Sequence, residues 1–280
     1  MVGLKGDKKM ENKELALHAN NIRKDIILET YCAQSGHPGG SLSATDILTY
    51  LYFEEMNINE DNLSTYKRDR FVLSKGHASP ALYGVFAEKG WIEQEELKTF
   101  RKLGSRLQGH PSMHMLDAVD MSTGSLGQGI SCAVGMALSN KLDKNEYRVY
   151  SILGDGECQE GQVWEATMAA CHYKLDNLCY FVDNNNLQID GKVSDVMSIY
   201  PLKEKFEGFG CHVIEIDGHD FDQIRSACQE AKTVKGKPTV VIAKTIKGKG
   251  VSFMEDKAGW HGVAPKKEEY EAAIKELEAK

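Results

Sequence analysis

Five short apolar runs, RFVLS, YRVYSIL, NLCYFVD, HVIEID and PTVVIAK, punctuate the chain between residues 70 and 244. Most are too continuously apolar to leave one face in water, the pattern of parallel strands covered on both sides. Helical spacing fills the intervals, over 127–142, 162–173 and 221–234. Ahead of the first run, Leu15, Leu17, Ile22, Ile26 and Ile27 recur at helical spacing and predict a helix over 11–33. A second is expected over 43–55, with Ser43 as N-cap and Asp46 three positions on, and AQSGHPGGS as a Gly/Pro turn between the two. The last stretch, PKKEEYEAAIKELEAK, reads as a charged helix opened by Pro265. Alternating strand and helix predict an α/β fold: a doubly wound, mostly parallel sheet with helices on both faces. Residues 1–10 read as a polar tail and 11–280 as one domain, without internal repeats or a linker.

One βαβ unit carries more than packing. YRVYSIL is followed at once by GDGECQEGQVWEA, and NLCYFVD ends in Asn184, Asn185 and Asn186, some thirty residues after Asp155. Both strands of such a unit point the same way, so Asp155 and the asparagines fall at the same C-terminal sheet edge. Neighbouring strands lie roughly 4.8 Å apart, close enough for an Asp and an Asn to share one small cation. Carboxylate, amide oxygen and carbonyl are the hard donors that Mg²⁺ or Ca²⁺ prefers. One carboxylate is a thin shell, so phosphate or water should complete it. Gly154 and Gly156 let the backbone approach that anion, beside a helix N-terminus. The simplest ligand is a metal-bridged diphosphate.

Two other phosphate motifs fare worse. No GxxxxGK followed by Ser or Thr occurs, and KGKGVS fails the spacing of a P-loop. After Gly154 and Gly156 the next glycine is Gly161, too late for GxGxxG. Asp183 at the end of the next strand does resemble the ribose-binding acid of dinucleotide folds, which keeps that reading as the enzymatic rival. The plain structural alternative is a glycine turn with Asp155 as a local cap and the asparagines as turn formers.

Composition narrows the class. The net charge of -7 argues against non-specific nucleic-acid binding. The seven cysteines show no CxxC pair and read as reduced thiols of a cytoplasmic protein. No secretory h-region and no apolar stretch of the roughly 20 residues that span a bilayer is seen. A membrane association is not expected.

Seven ordered blocks then make the chain recognisable: SGHPGGSLSATD, FVLSKGHASPALY, QGHPSMH, STGSLGQGIS, GDGECQEGQVWEA, DNNNLQIDG and KTIKGKGVSFMED…WHG. In this order they resemble the N-terminal, diphosphate-binding half of transketolase, from about residue 12 to 265. The resemblance implies thiamine diphosphate as cofactor, with Asp155, Asn185 and the carbonyl of Leu187 as ligands of Mg²⁺ or Ca²⁺. It implies cofactor contacts from His77, Gly124, Ser125, Leu126, Gly154, Gly156, Glu160 and His261. Glu160 would support a partner glutamate that reaches the cofactor's pyrimidine, and Glu165 would be a dimer contact.

The histidines fit the same picture. Of nine, His37, His77, His110 and His219 follow glycine and His261 precedes one. A lone loop histidine is unremarkable, but several together point to a site that handles sugar hydroxyls and moves protons near neutral pH. His37, His77, His110 and His261 match the transketolase histidines of the substrate channel, whereas His219 is left without a role. His18, His114, His172 and His212 fall in helical or strand patterns and read as structural.

Departures from the family pattern lie on the substrate side: GGSLS where a proline-rich turn is usual, Ser112 for an acidic residue, and Ser125 for proline. Lys280 falls just past the first half of a transketolase. The expectation is therefore the N-terminal subunit of a split transketolase, passing a two-carbon ketol unit between sugar phosphates together with a pyrimidine-binding C-terminal subunit, as α₂β₂. A 1-deoxyxylulose-phosphate synthase or 2-oxo-acid dehydrogenase fragment, or a catalytically inactive scaffold, are the alternatives.

Overall fold

The computed structural model of the chain describes residues 9–280, so the expected polar tail lies outside the described residues except for its last two. The five apolar runs form β1 (Arg70–Leu73), β2 (Val149–Gly154), β3 (Leu178–Asn184), β6 (His212–Asp217) and β7 (Thr239–Lys244). A short antiparallel hairpin, β4 (Leu187–Gln188) and β5 (Gly191–Lys192), stands apart. The main sheet runs β1-β2-β3-β7-β6, and every pairing in it is parallel. β6 takes the edge and β7 inserts between it and β3, so the strand ends after β2, β3 and β7 lie side by side.

Alternate residues of each strand enter opposite cores. Phe71, Ile152, Phe181 and Val241 pack on one face against α1 (Asn12–Ala33), α2 (Pro38–Tyr50), α3 (Ser79–Glu88), α8 (Phe221–Thr233) and α9 (Lys267–Glu278). Val72, Leu153, Tyr180 and Val240 pack on the other against α4 (Gln128–Leu142), α5 (Gly161–His172) and α7 (Leu202–Phe209); a single-turn helix, α6 (Val193–Val196), follows the hairpin. Residues buried on both sides of the sheet explain why the runs lack alternation. The fold is the expected doubly wound α/β sheet.

The second helix departs from expectation. It begins at Pro38, not Ser43, because proline at the first helical position needs no N–H partner and its φ is already helical. The apparent Gly/Pro turn is thus the helix's first turn. All of α2 is buried despite its hydroxyls, because Ser41, Thr45 and Thr49 each donate to the carbonyl four residues back. α3 was not legible as a helix: its residues 79–87 are all buried, which erases the amphipathic signature. After β2 the chain makes a 3₁₀ turn over Gly156–Gln159 before α5 starts at Gly161, so the α-helix N-terminus stands six residues beyond Asp155.

Candidate active site

The strand register carries the predicted pair to one edge. Gly154 lies opposite Asp183 in the β2–β3 ladder, and the Asp155 N–H donates to the Asp183 carbonyl at 3.2 Å. Asp155 is 2% exposed. Its carboxylate accepts from the Gly156 N–H at 2.7 Å and from the Asn186 N–H, as the local-cap alternative foresaw. These bonds also aim it. Burial, and then the charge of Asp183, push its pKa up to about 7, the signature of a carboxylate short of positive charge. Asn185 accepts from the Leu187 N–H at 3.0 Å, and the Leu187 carbonyl accepts from Lys247 Nζ at 3.1 Å.

A cavity of about 170 Å³ opens here. Of the predicted residues, His77, Leu126, Gly154, Asp155, Gly156, Glu160, Asn185, Leu187 and His261 line it. Glu160 is exposed and makes no cap to α5. Gly127, with φ +81°, is required at the rim, because a Cβ there would sit 2.8 Å from the Glu160 Cβ. Ser125 is exposed, and Gly124 packs on the His110 ring.

The four predicted channel histidines converge. Ring centroids of His37 lie 5.2 Å from His77, 6.3 Å from His110 and 5.5 Å from His261, and His77 is 5.1 Å from His261. Their surroundings set which form each ring favours. Burial, with Arg101 next, lowers His37 to about 4; burial, with Lys247 next, lowers His261 to about 3. Burial does the same to His77, reinforced by Lys75, and to His110, reinforced by Arg101. Burial favours the neutral form of all four rings, and a neutral imidazole offers one donor and one acceptor. His261 Nδ1 faces Lys247 Nζ at 2.9 Å. An ammonium there makes Nδ1 the acceptor and leaves the ring hydrogen on Nε2.

Lys75 and Lys247, which sequence reasoning passed over, organise the site together with Asp183, which it offered as a ribose-binding acid. Asp183 is fully buried and binds Lys75 Nζ, Thr245 Oγ1 and, at 2.5 Å, Ser43 Oγ. Burial alone would raise its pKa, but Lys75 and the hydroxyls hold it below the usual carboxylate value. Every oxygen of Asp183 is engaged and none faces solvent, so it cannot reach a ribose and the dinucleotide reading fails. Lys75 also donates to the Gly40 carbonyl at 2.8 Å. Lys247 is buried too, and burial followed by the charge of Lys75 lowers it to about 8. Both lysines lie inside the ordered blocks, which was the available signal, but nothing local marks a lysine as buried. His219 acquires a role as well. Its Nδ1 meets Asp46 at 2.7 Å and its Nε2 accepts from the Ile246 N–H at 2.9 Å, fixing the loop that carries Lys247. His114, expected inside regular structure, is instead exposed in a turn. His18 and His212 pair with Glu88 and Glu230, and His172 is exposed at the end of α5.

Residues 16–279 match the family model described as "Transketolase, thiamine diphosphate binding domain". This chain belongs to the transketolase family. It is 46% identical over 265 residues to a 6-deoxy-6-sulfo-D-fructose transketolase subunit of Clostridium sp. (strain MSTE9), covering 95% of this chain and 96% of that one. An apulose-4-phosphate transketolase subunit of Phocaeicola vulgatus is 41% identical over 268 residues, covering 96% and 95%. Human transketolase is 44% identical over 262 residues, which are 92% of this chain but 41% of the human one. A crystal structure of Campylobacter jejuni transketolase superposes with TM-score 0.90 at 36% identity, covering 96% of this chain and 43% of that chain. Like its subunit relatives, this transketolase domain corresponds to less than half of the single-chain enzymes. Among the described residues, no helix is long and apolar enough to cross a membrane.

Proposed function

We propose that this chain is the diphosphate-binding subunit of a two-chain transketolase that transfers a ketol unit from a ketose phosphate to an aldose phosphate. The observation that carries the proposal is the convergence of Asp155, Asn185, the Leu187 carbonyl and Lys247 on one small cavity at the sheet edge. The oxygen set fits Mg²⁺ or Ca²⁺: Asp155 is buried with a raised pKa, and the Leu187 carbonyl already accepts from a cation. No group of three or more His, Cys, Asp or Glu side chains placed to hold a metal ion occurs among the described residues. A metal here would rest on one carboxylate, one amide oxygen and one carbonyl, with phosphate completing the shell. Gly156 supplies the close approach, since a Cβ would meet Gln188 at 3.3 Å.

When bound, thiamine diphosphate supplies the nucleophilic carbon and the electron sink for cleaving a ketose C2–C3 bond. The chain's residues do the rest. Lys247, which lines the cavity and donates to the Leu187 carbonyl, would offset the diphosphate's negative charge. His37, His77, His110 and His261, neutral and grouped, donate to and accept from sugar hydroxyls, and a bound anion beside them favours proton uptake. Glu160, exposed on the rim, is available to a carboxyl group of a second subunit.

The cavity also supports a partner. Glu160 stands exposed at its rim. A pyrimidine-binding subunit would close it, in an α₂β₂ assembly. The test is calorimetry of the full chain with thiamine diphosphate and Mg²⁺, then a ketol-transfer assay with and without the partner. Activity is expected only with the partner, and Asp155→Ala or Asn185→Ala should abolish metal-dependent binding while the fold persists. Turnover by the chain alone, or normal binding by both variants, overturns the proposal.

A further inference from the structure

Away from the cavity, two of the seven cysteines meet. Cys171 sits in the last turn of α5 and is half-buried; Cys211 is buried between Gly210, which ends α7 with φ +102°, and the start of β6. Their Sγ atoms lie 3.3 Å apart, although the residues are 40 positions apart in sequence. Cys32 and Cys132 are also half-buried but have no sulfur neighbour among the described residues. The Tyr180 hydroxyl, 3.9 Å from Cys211 Sγ and 3.0 Å from the Thr167 hydroxyl, holds the buried sulfur's surroundings in place.

We propose that Cys171 and Cys211 form a redox modification site that closes to a disulfide on exposure to hydrogen peroxide. A disulfide needs its sulfurs at about 2.05 Å, so closure asks for a shift of roughly an ångström at the end of a helix. The environments assign the roles. The hydrogen bond from Cys211, and then the charge of Lys237, lower the Cys171 thiol, which is the accessible one; the same hydrogen bond, with burial, raises Cys211. The Cys171 thiolate attacks one peroxide oxygen and breaks the O–O bond, giving a sulfenic acid and, after protonation, the first water. Cys211 sulfur then attacks Cys171 Sγ, breaks its S–O bond and releases the second water. Two thiols are oxidised by two electrons, and one peroxide is reduced to two waters.

The bridge would enclose the chain from α5 to β6, which includes β3, Asp183, Asn185 and Leu187. Oxidation would therefore tie the segment behind the candidate site into a ring, restricting the unfolded chain. The inference stands on the sulfur geometry and does not depend on the proposed reaction. The full chain, reduced and then treated with hydrogen peroxide, is alkylated and mapped without reductant. A 171–211 bridged peptide short of two hydrogens is expected, with a melting temperature several degrees higher that dithiothreitol reverses. Cys171→Ala should abolish both, and Cys132→Ala should change neither. Because residue 171 is half-buried, the first variant is expected to fold, and its melting curve checks that. Alkylation or sulfinic oxidation of Cys171 with Cys211 still a free thiol overturns the proposal, and a bridge without the thermal shift overturns its stabilising role.

Discussion

Asp183 and Glu29 are both carboxyls with no exposed surface, yet their surroundings differ in every respect. Asp183, at the end of β3, is met by an ammonium and two hydroxyls from three separate segments. Glu29, in α1, has neither side-chain oxygen hydrogen-bonded, and burial followed by the charge of Asp25 drives its pKa well up. Partners favour the ionised form of one, and burial favours the protonated form of the other. A buried charge is stabilised only where partners arrive from outside its own element, and here they arrive at the sheet edge that holds the candidate site. Glu29 and Asp25 in α1 are buried without an ion pair among the described residues, so they cost stability as the pH rises. The difference shows that the platform beneath Asp155 and Asn185 is one place where this chain builds a fully partnered buried charge.

The sharpest way to break this comparison is Lys75→Met. It strands Asp183 without its cation, and loss of about 3–5 kcal/mol is expected in urea denaturation of the full chain. A loss no larger than that of a Glu29 substitution would remove the distinction. The next effect is one of pH. Burial raises Asp25 from 3.8 to about 7, so between these values the folded chain holds a proton that the unfolded chain has released. Its contribution therefore falls as pH rises through that window and is flat above it. Relative to Asp25→Asn, the wild-type chain should lose on the order of 2–4 kcal/mol from pH 4 to pH 7. Parallel stability curves would show that Asp25 does not stay protonated.

Ser43→Ala removes one hydrogen bond from an ionised, buried group and should cost about 1.5–3 kcal/mol. It should also show whether Asp183 needs its hydroxyls or Lys75 alone. Smallest is Glu29→Gln. Replacing a neutral acid by a neutral amide of similar shape should change stability at pH 6 by less than about 1 kcal/mol. A large loss would mean that Glu29 is ionised and paired after all.

The amino-acid sequence by itself determined the sheet, the direction of its strands and the meeting of Asp155 with Asn185. Each rests on short-range spacing: apolar runs of strand length, a crossover helix between them, and turn residues at the strand ends. A parallel βαβ unit can place those ends nowhere but at one edge. His37, His77, His110 and His261 were legible as a group because glycine turns set them off from helical patterns, and the ordered blocks tied them to a family. Tertiary structure alone decided that Lys75 and Lys247 are buried, that Asp183 is enclosed by Lys75, Ser43 and Thr245, and that burial favours the neutral form of the four histidines. It also decided that α2 begins at Pro38 and that α3 is a helix with no wet face. The reason is common to all of these. Burial and charge balance are set by segments far apart in the chain, as Ser43, Lys75 and Thr245 are from Asp183, and no local period in a sequence records how deep a side chain will lie.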